Sequence, residues 1–209
     1  ATGVAAADLS TQPIVEVRDQ YENVVDISSD TITLDAYTTA DCSTTAALGT
    51  LSGNTMAASS GVSTFTGLDY PLAETIYLKA STGALTVDCS TAVVISPAAA
   101  SELVITTEPS VTGTAGADLA TQPVVEVRDA YTNVVTSSSD TVVLTPYTTA
   151  DCSTTASTGT TNNGSKAASS GIATFTNVNH EKDEIIYYEV SSGGLTTDCT
   201  IASDITYAA

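Results

Sequence analysis

Four residues in this chain are suited to covalent chemistry: Cys42, Cys89, Cys152 and Cys199. Four cysteines allow three pairings. None forms a C-x-x-C redox motif. Zinc would need four Cys or His ligands at close spacing, and the chain has a single histidine, His180. Each cysteine sits in an Asp-Cys dipeptide, and the four fall into two equivalent pairs in a duplicated sequence. Both members of a pair being duplicated together predicts Cys42–Cys89 and Cys152–Cys199 as structural bonds. In the chain-entropy view each closure removes denatured-state freedom worth about 4 kcal/mol. Such bonds imply an oxidising, extracytoplasmic location.

The other candidates carry less. His180 lies in the stretch Asn179 to Glu184 (NHEKDE), which reads as a solvated loop and has no histidine in the other copy. No G-x-S-x-G motif frames any serine, so no catalytic constellation is expected and the chain reads as a non-enzyme. Lys79, Lys166 and Lys182 align with Glu189, Met56 and Leu72, so an intramolecular Lys–Asn isopeptide bond retained in both copies is not expected. Arg18 and Arg128 recur, each two positions after Glu16 or Glu126, and predict a surface ion pair on one strand face. Hard cations need several oxygens together. Asp19, Glu22 and Asp26 cluster at one turn and are the candidate calcium ligands, and Glu181, Asp183 and Glu184 cluster at another. Neither cluster is kept in the other copy, so solvated acidic turns are the expected reading. No other cofactor is expected. Asn163-Gly164-Ser165 is a formal N-glycosylation sequon at an expected hairpin tip.

These residues must be held by a β framework. The 209-residue chain is rich in Thr, Ser and Val, has nine Tyr, two Phe and no Trp, and shows no sustained helical periodicity. A shift of 110 positions, the step from Cys42 to Cys152, aligns its two halves without a gap. TQPIVEVRDQY at Thr11 to Tyr21 becomes TQPVVEVRDAY at Thr121 to Tyr131, and YTTADCSTTA at Tyr37 recurs unchanged at Tyr147. The expected domains are residues 1–97 and 101–209, joined by the short SPAAA linker. Copy two opens with LVIT at Leu103 to Thr106, a first strand that copy one lacks, which predicts that the chain comes from a longer array.

In copy two the alternation predicts strands at Pro123 to Asp129, with Val125 and Val127 inward, and at Thr141 to Tyr147, with Val142 and Leu144 inward. Ile172 to Thr176 follows, anchored by Phe175. Ile185 to Val190 places Ile186, Tyr188 and Val190 on one face, and Leu195 to Ile205 places Leu195, Thr197, Cys199 and Ile201 together. In copy one, Cys89 is expected to share the inward face with Leu85 and Val87. About seven short strands per copy predict an all-β fold of two tandem two-sheet β-sandwiches, one disulfide in each.

Ala120 to Leu144 (ATQPVVEVRDAYTNVVTSSSDTVVL), Gly171 to Val178 (GIATFTNV) and Leu103 to Ala117 (LVITTEPSVTGTAGA) resemble the bacterial immunoglobulin-like (Big) repeats of invasin- and intimin-type surface adhesins. That resemblance implies that the two tandem sandwiches are immunoglobulin-like and form a cell-surface or secreted bacterial module whose partners are neighbouring repeats. It departs from the family at Glu22 and Thr132, which stand where a turn glycine is usual, and at Glu74-Thr75-Ile76, which replaces Gly-x-Tyr. The disulfide pair is not general in that family.

Charge narrows the function. Five basic residues against 24 acidic ones give a net charge of −19, which repels nucleic acid and anionic lipid. Apolar runs such as Ala92 to Ile95 are far shorter than the ~20 residues of a membrane helix, so no membrane insertion is expected. The expected function is a spacer or stalk, a structural repeat segment that would be extended. The alternative is a subunit of an extracellular filament, sheath or surface layer that assembles by strand complementation between chains. A third reading, glycan or receptor binding, would use the loops that diverge most, Gly67 to Ala73 against Asn177 to Asp183.

Overall fold

In the computed structural model the described residues are 1–43, 49–83, 85, 89–153, 156–195 and 198–207. The chain divides into two compact units, Ala1–Ala98 and Ala99–Ala209. Among the described residues all regular structure is β.

The first unit contains β1 (Thr2–Val4), β2 (Ile14–Glu16), β3 (Thr31–Tyr37), β4 (Thr55–Ala57), β5 (Val62–Thr64), β6 (Thr75–Ser81) and β7 (Val93–Ser96). The second contains β8 (Ala100–Thr107), β9 (Thr112–Thr114), β10 (Val124–Asp129), β11 (Thr141–Tyr147), β12 (Thr161–Asn162) and β13 (Ser165–Ala167). It continues with β14 (Ile172–Thr174), β15 (Asn179–His180), β16 (Glu184–Ser191), β17 (Asp198–Cys199) and β18 (Ser203–Thr206).

Two sheets face each other in the second unit. One runs β14-β10-β8; the other runs β13-β11-β16-β18-β9, with β17 added on β16. The opening segment is divided between them: β8 pairs antiparallel with β10, while β9 runs parallel to the last strand, β18. This is the immunoglobulin-like sandwich. The first unit repeats it with β1-β7-β6-β3-β4 opposite β2-β5, and β1 again lies parallel to β7.

Alternation fills the space between the sheets. Val125 and Val127 point in from one sheet, and Val142, Leu144, Ile186, Tyr188 and Val190 from the other, all buried as their parity predicts. Phe175 and its counterpart Phe65 are fully buried just beyond the short strands β14 and β5. The first unit has the same arrangement, with Ile32, Leu34, Ile76 and Leu78 packed against Val17 and Phe65.

One strand departs from expectation. Leu195 to Ile205 is two pieces, β17 and β18, and its parity slips between them: Ile201 is exposed while Thr200, Ser203 and Ile205 are buried. Thr200 is the cause. Its N–H donates to the Tyr188 carbonyl at 3.0 Å, and its hydroxyl accepts from the Tyr188 N–H at 2.9 Å. The side chain thus replaces a main-chain partner, and the ladder skips a register step. Ser90 does the same to Leu78 at 2.8 Å in both directions. Leu85 is likewise exposed and not inward. Val87 and Thr197 lie outside the described residues.

Candidate functional site

The disulfides are Cys42–Cys89 and Cys152–Cys199, each with a sequence separation of 47 and Cα–Cα distances of 6.1 and 6.2 Å. Each bond ties the segment just after β3 or β11 to the strand segment beside β6 or β16, since Cys89 bridges Lys79 and Cys199 pairs with Glu189. The first cysteine of each pair, Cys42 or Cys152, takes a positive φ at the end of a turn, closed by its N–H on Thr39 or Thr149.

The Asp19 turn is built by hydrogen bonds. Its carboxylate accepts from the N–H groups of Tyr21 and Asn23 at 2.8 and 3.0 Å, and from the Asn23 side-chain amide. These donors hold the Asp19 carboxyl below its usual range, the Asn23 N–H contributing most. Asp129 repeats the pattern with Tyr131 and Asn133. The oxygens proposed for calcium at Asp19 are therefore engaged by N–H donors. Among the described residues no group of three or more His, Cys, Asp or Glu is placed to hold a metal, and Asp19, Glu22 and Asp26 are not brought together as one. Glu22 and Thr132 occupy the missing-glycine position with φ of 65° and 68°, so the turn keeps its shape and takes the left-handed conformation.

Asn163 is exposed between β12 and β13, in left-handed conformation, and its side-chain amide donates to the Asn177 carbonyl at 2.8 Å. The predicted Arg–Glu pairs form: Arg18 lies 2.6 Å from Glu16, and Arg128 2.7 Å from Glu126.

His180 corrects the sequence reading. It is not a solvated loop residue; it is fully buried on β15. Its Nε2 is 2.9 Å from Glu184 Oε1, and its Nδ1 is 3.0 Å from Thr161 Oγ1. A carboxylate only accepts, so Nε2 carries a proton, and in the neutral ring Nδ1 accepts from the Thr161 hydroxyl. Ser157 donates to the same Glu184 oxygen and accepts from the Gly159 N–H at 2.9 Å. Lys182 Nζ reaches the other oxygen, Oε2, at 2.8 Å. Burial alone would raise the Glu184 carboxyl. The hydrogen bonds from Lys182, Ser157 and His180, with the Lys182 charge, outweigh it and lower the pKa to about 2.

Ser, His and Glu meeting in one place invites comparison with a hydrolytic triad. The geometry argues against that role for this trio. A triad needs serine on one imidazole nitrogen and the acid on the other. Here both approach Nε2, Ser157 Oγ at 3.5 Å, and the serine proton is given to the acid. The ring has no access to solvent. The cluster clamps β15 to β16 and to the segment ahead of β12.

Sequence inspection missed this cluster, although a signal was present. Tyr70 aligns with His180, and both copies place a glutamate four residues later, Glu74 or Glu184. Tyr70 is fully buried and donates to Glu74. Gln12 and Gln122 were also missed. Gln12 donates to the Leu9 and Leu68 carbonyls and accepts from the Leu68 N–H, and Gln122 does the same at Leu119 and Val178. They are the glutamines of the repeated TQP.

No protein-family model and no curated protein sequence matches the chain. Solved structures do. The D0-D1 domain of intimin aligns over 98% of this chain and 94% of its own, with 15% identity and a TM-score of 0.36. A chimeric titin Z1Z2-Z1Z2 tandem aligns over 100% and 95%, with 10% identity and a TM-score of 0.29. A β-glycosidase from Bacteroides vulgatus aligns over 84% of this chain and only 21% of its own, with 8% identity and a TM-score of 0.40. Likenesses this distant do not bear on function, and the fold rests on the strand pairings above.

Proposed function

We propose that this chain is a non-catalytic structural segment, two spacer repeats of a secreted or cell-surface protein whose neighbours are further repeats. One observation carries the reading: what the two copies keep position for position is fold-holding machinery. The disulfides, the Asp19 and Asp129 turns, the Gln12 and Gln122 clamps and the Arg–Glu pairs all recur. The polar cluster around His180, which the first copy does not share, is centred on a fully buried ring. The disulfides support an oxidising compartment, and the net charge of −19 supports a role that keeps a long polymer soluble.

Single-molecule pulling tests the reading. A spacer of independent units gives two unfolding events. While its disulfide locks the enclosed loop, the first unit releases about 170 Å of chain and the second about 220 Å, and reductant adds about 160 Å more per unit. A single cooperative event, or saturable binding to a glycan array, would overturn it in favour of a joint or ligand-binding assembly.

A further inference from the structure

Both copies carry one extra residue in their last strand, at the same place. From Cys199 to Ser203 that strand advances four residues, while its partner β16 goes back only three, from Glu189 to Ile186. The first unit does the same between Cys89 and Val93, opposite Lys79 and Ile76. Two residues four apart on an unbroken strand share a face. Here they do not. Cys199 lies opposite Glu189, which alternates with the buried Tyr188 and Val190 and so faces outward, whereas Ser203 and Ile205 are buried in the core. Cys89 and Val93 divide in the same way, because Cys89 lies opposite Lys79 and Val93 is buried.

The residue after each cysteine holds the extra step. In an intact antiparallel ladder the Tyr188 N–H would return to the Thr200 carbonyl. It donates to the Thr200 hydroxyl at 2.9 Å, and that hydroxyl donates in turn to the Ile201 carbonyl at 3.0 Å. The side chain thereby relieves the Thr200 carbonyl of its ladder partner, and the strand bulges. In the first unit the Leu78 N–H donates to the Ser90 hydroxyl, which donates to the Thr91 carbonyl, both at 2.8 Å. The copies differ here as serine against threonine and keep the geometry, so the hydroxyl is the part they share.

We infer that Ser90 and Thr200 are the positioning residues of the two disulfides. Their hydroxyls hold the bulge that turns Cys89 and Cys199 outward, where they meet Cys42 and Cys152, while the strand beyond stays packed in the core. A strand without the bulge could satisfy only one of these demands. Keeping Cys199 outward would expose Ile205 and Ser203 and bury Asp204, which is exposed in the observed register. Burying that charge costs more than turning a cysteine, so the cysteine would face inward, away from Cys152. Closure is thiol–disulfide exchange: the Cys152 and Cys199 thiols lose two protons and two electrons and form one S–S bond. With glutathione disulfide as oxidant, its S–S bond breaks and two glutathione thiols are released. The inference does not depend on the spacer reading, which pulling tests separately.

The test is the closing equilibrium of each disulfide in the intact chain, set by a glutathione buffer, quenched with acid and mapped by peptide. Thr200→Val keeps the side-chain shape and removes the hydroxyl. It is expected to lower the closing constant of Cys152–Cys199 about tenfold or more and to leave Cys42–Cys89 within about twofold. Thr200→Ser should keep the constant of the unaltered chain. Amide exchange confirms that the reduced unit is folded in each variant. Should Thr200→Val fail to fold, Ser90→Ala makes the same test in the first unit, with Cys152–Cys199 as the internal control. Val142→Ala weakens the second unit from inside the sandwich without touching the bulge, and the constant should hold there. An unchanged constant in Thr200→Val, an equal loss in Val142→Ala, or a loss as large in Thr200→Ser would overturn the inference.

Discussion

In the first unit the position packed against Gly49 is filled by Tyr70, and in the second the position against Gly159 is filled by His180. Both rings are completely buried, and both bond a glutamate four residues on. Their surroundings differ throughout. Leu51, Leu72 and, in the sequence, Ala47 and Leu48 stand where the second unit has Thr161, Lys182, Ser157 and Thr158. A tyrosine brings most of its own apolar volume and asks for one hydrogen bond. A histidine is smaller and has two ring nitrogens to satisfy, which Thr161 and Glu184 do. Lys182 then balances the carboxylate, helped by Thr158 at 2.8 Å. The difference teaches that a buried polar group is tolerated as part of a satisfied set, since a half-satisfied one costs more than an apolar core.

The comparison assumes two units that fold separately, and the largest predicted effect tests that. Replacing Cys199 by Ser is expected to destabilise the second unit by roughly 2–5 kcal/mol and leave the first nearly unchanged. Amide exchange resolved by unit measures it. Equal losses in both would break the comparison at its base.

The next effect separates the two clusters. Glu184→Ala strands His180, Ser157 and Lys182 around one missing acceptor and should cost about 2–4 kcal/mol. Glu74→Ala removes the acceptor of Tyr70 alone and should cost about 1–2 kcal/mol. If the two costs are equal, the polar set in the second unit is no more interdependent than the single bond in the first.

Much of this was legible in the sequence and some was not, for identifiable reasons. The gapless repeat gave the pairing of cysteines and the inward faces of β10, β11 and β16, because parity and duplication constrain both directly. The slip at Thr200 escaped because a hydroxyl replaced a ladder partner, an interaction alternation does not encode. His180 was misplaced because its neighbours in sequence are charged, while its partners Ser157 and Thr161 come from a distant segment. The aligned Tyr70, with its retained glutamate, was the available clue.

A smaller effect uses pH. The folded Glu184 carboxyl, at about 2, lies below its ordinary value of 4.5. A depressed carboxyl contributes stability that is complete above the unfolded value and is lost as pH falls towards the folded one. The second unit is therefore expected to lose on the order of 1–2 kcal/mol between pH 4.5 and 2 from this group, the shift being discounted for the partly exposed Lys182 partner. Glu184→Gln should remove that acid limb, and acid titration of unit-resolved stability checks it. An unchanged limb in the variant would assign the loss to other groups.

The smallest effect concerns the turns that close around Asp19 and Asp129. Glu22 and Thr132 share nearly the same left-handed φ and are both exposed, so their side chains differ while the backbone demand does not. Left-handed conformation costs an L-residue roughly 1–2 kcal/mol, and a β-branched side chain suffers most. Glycine escapes that cost but loses about 0.4–1 kcal/mol through the greater freedom of its unfolded chain. The loss offsets much of the relief for Glu22→Gly, which should stabilise by about 0.5 kcal/mol. Thr132→Gly starts from a more strained residue and should stabilise by about 0.5–1 kcal/mol. Thermal unfolding followed unit by unit gives the ordering. Should Thr132→Gly prove destabilising, the threonine must contribute something beyond the turn, and the equivalence of the two turns would fail at Glu22 and Thr132 themselves.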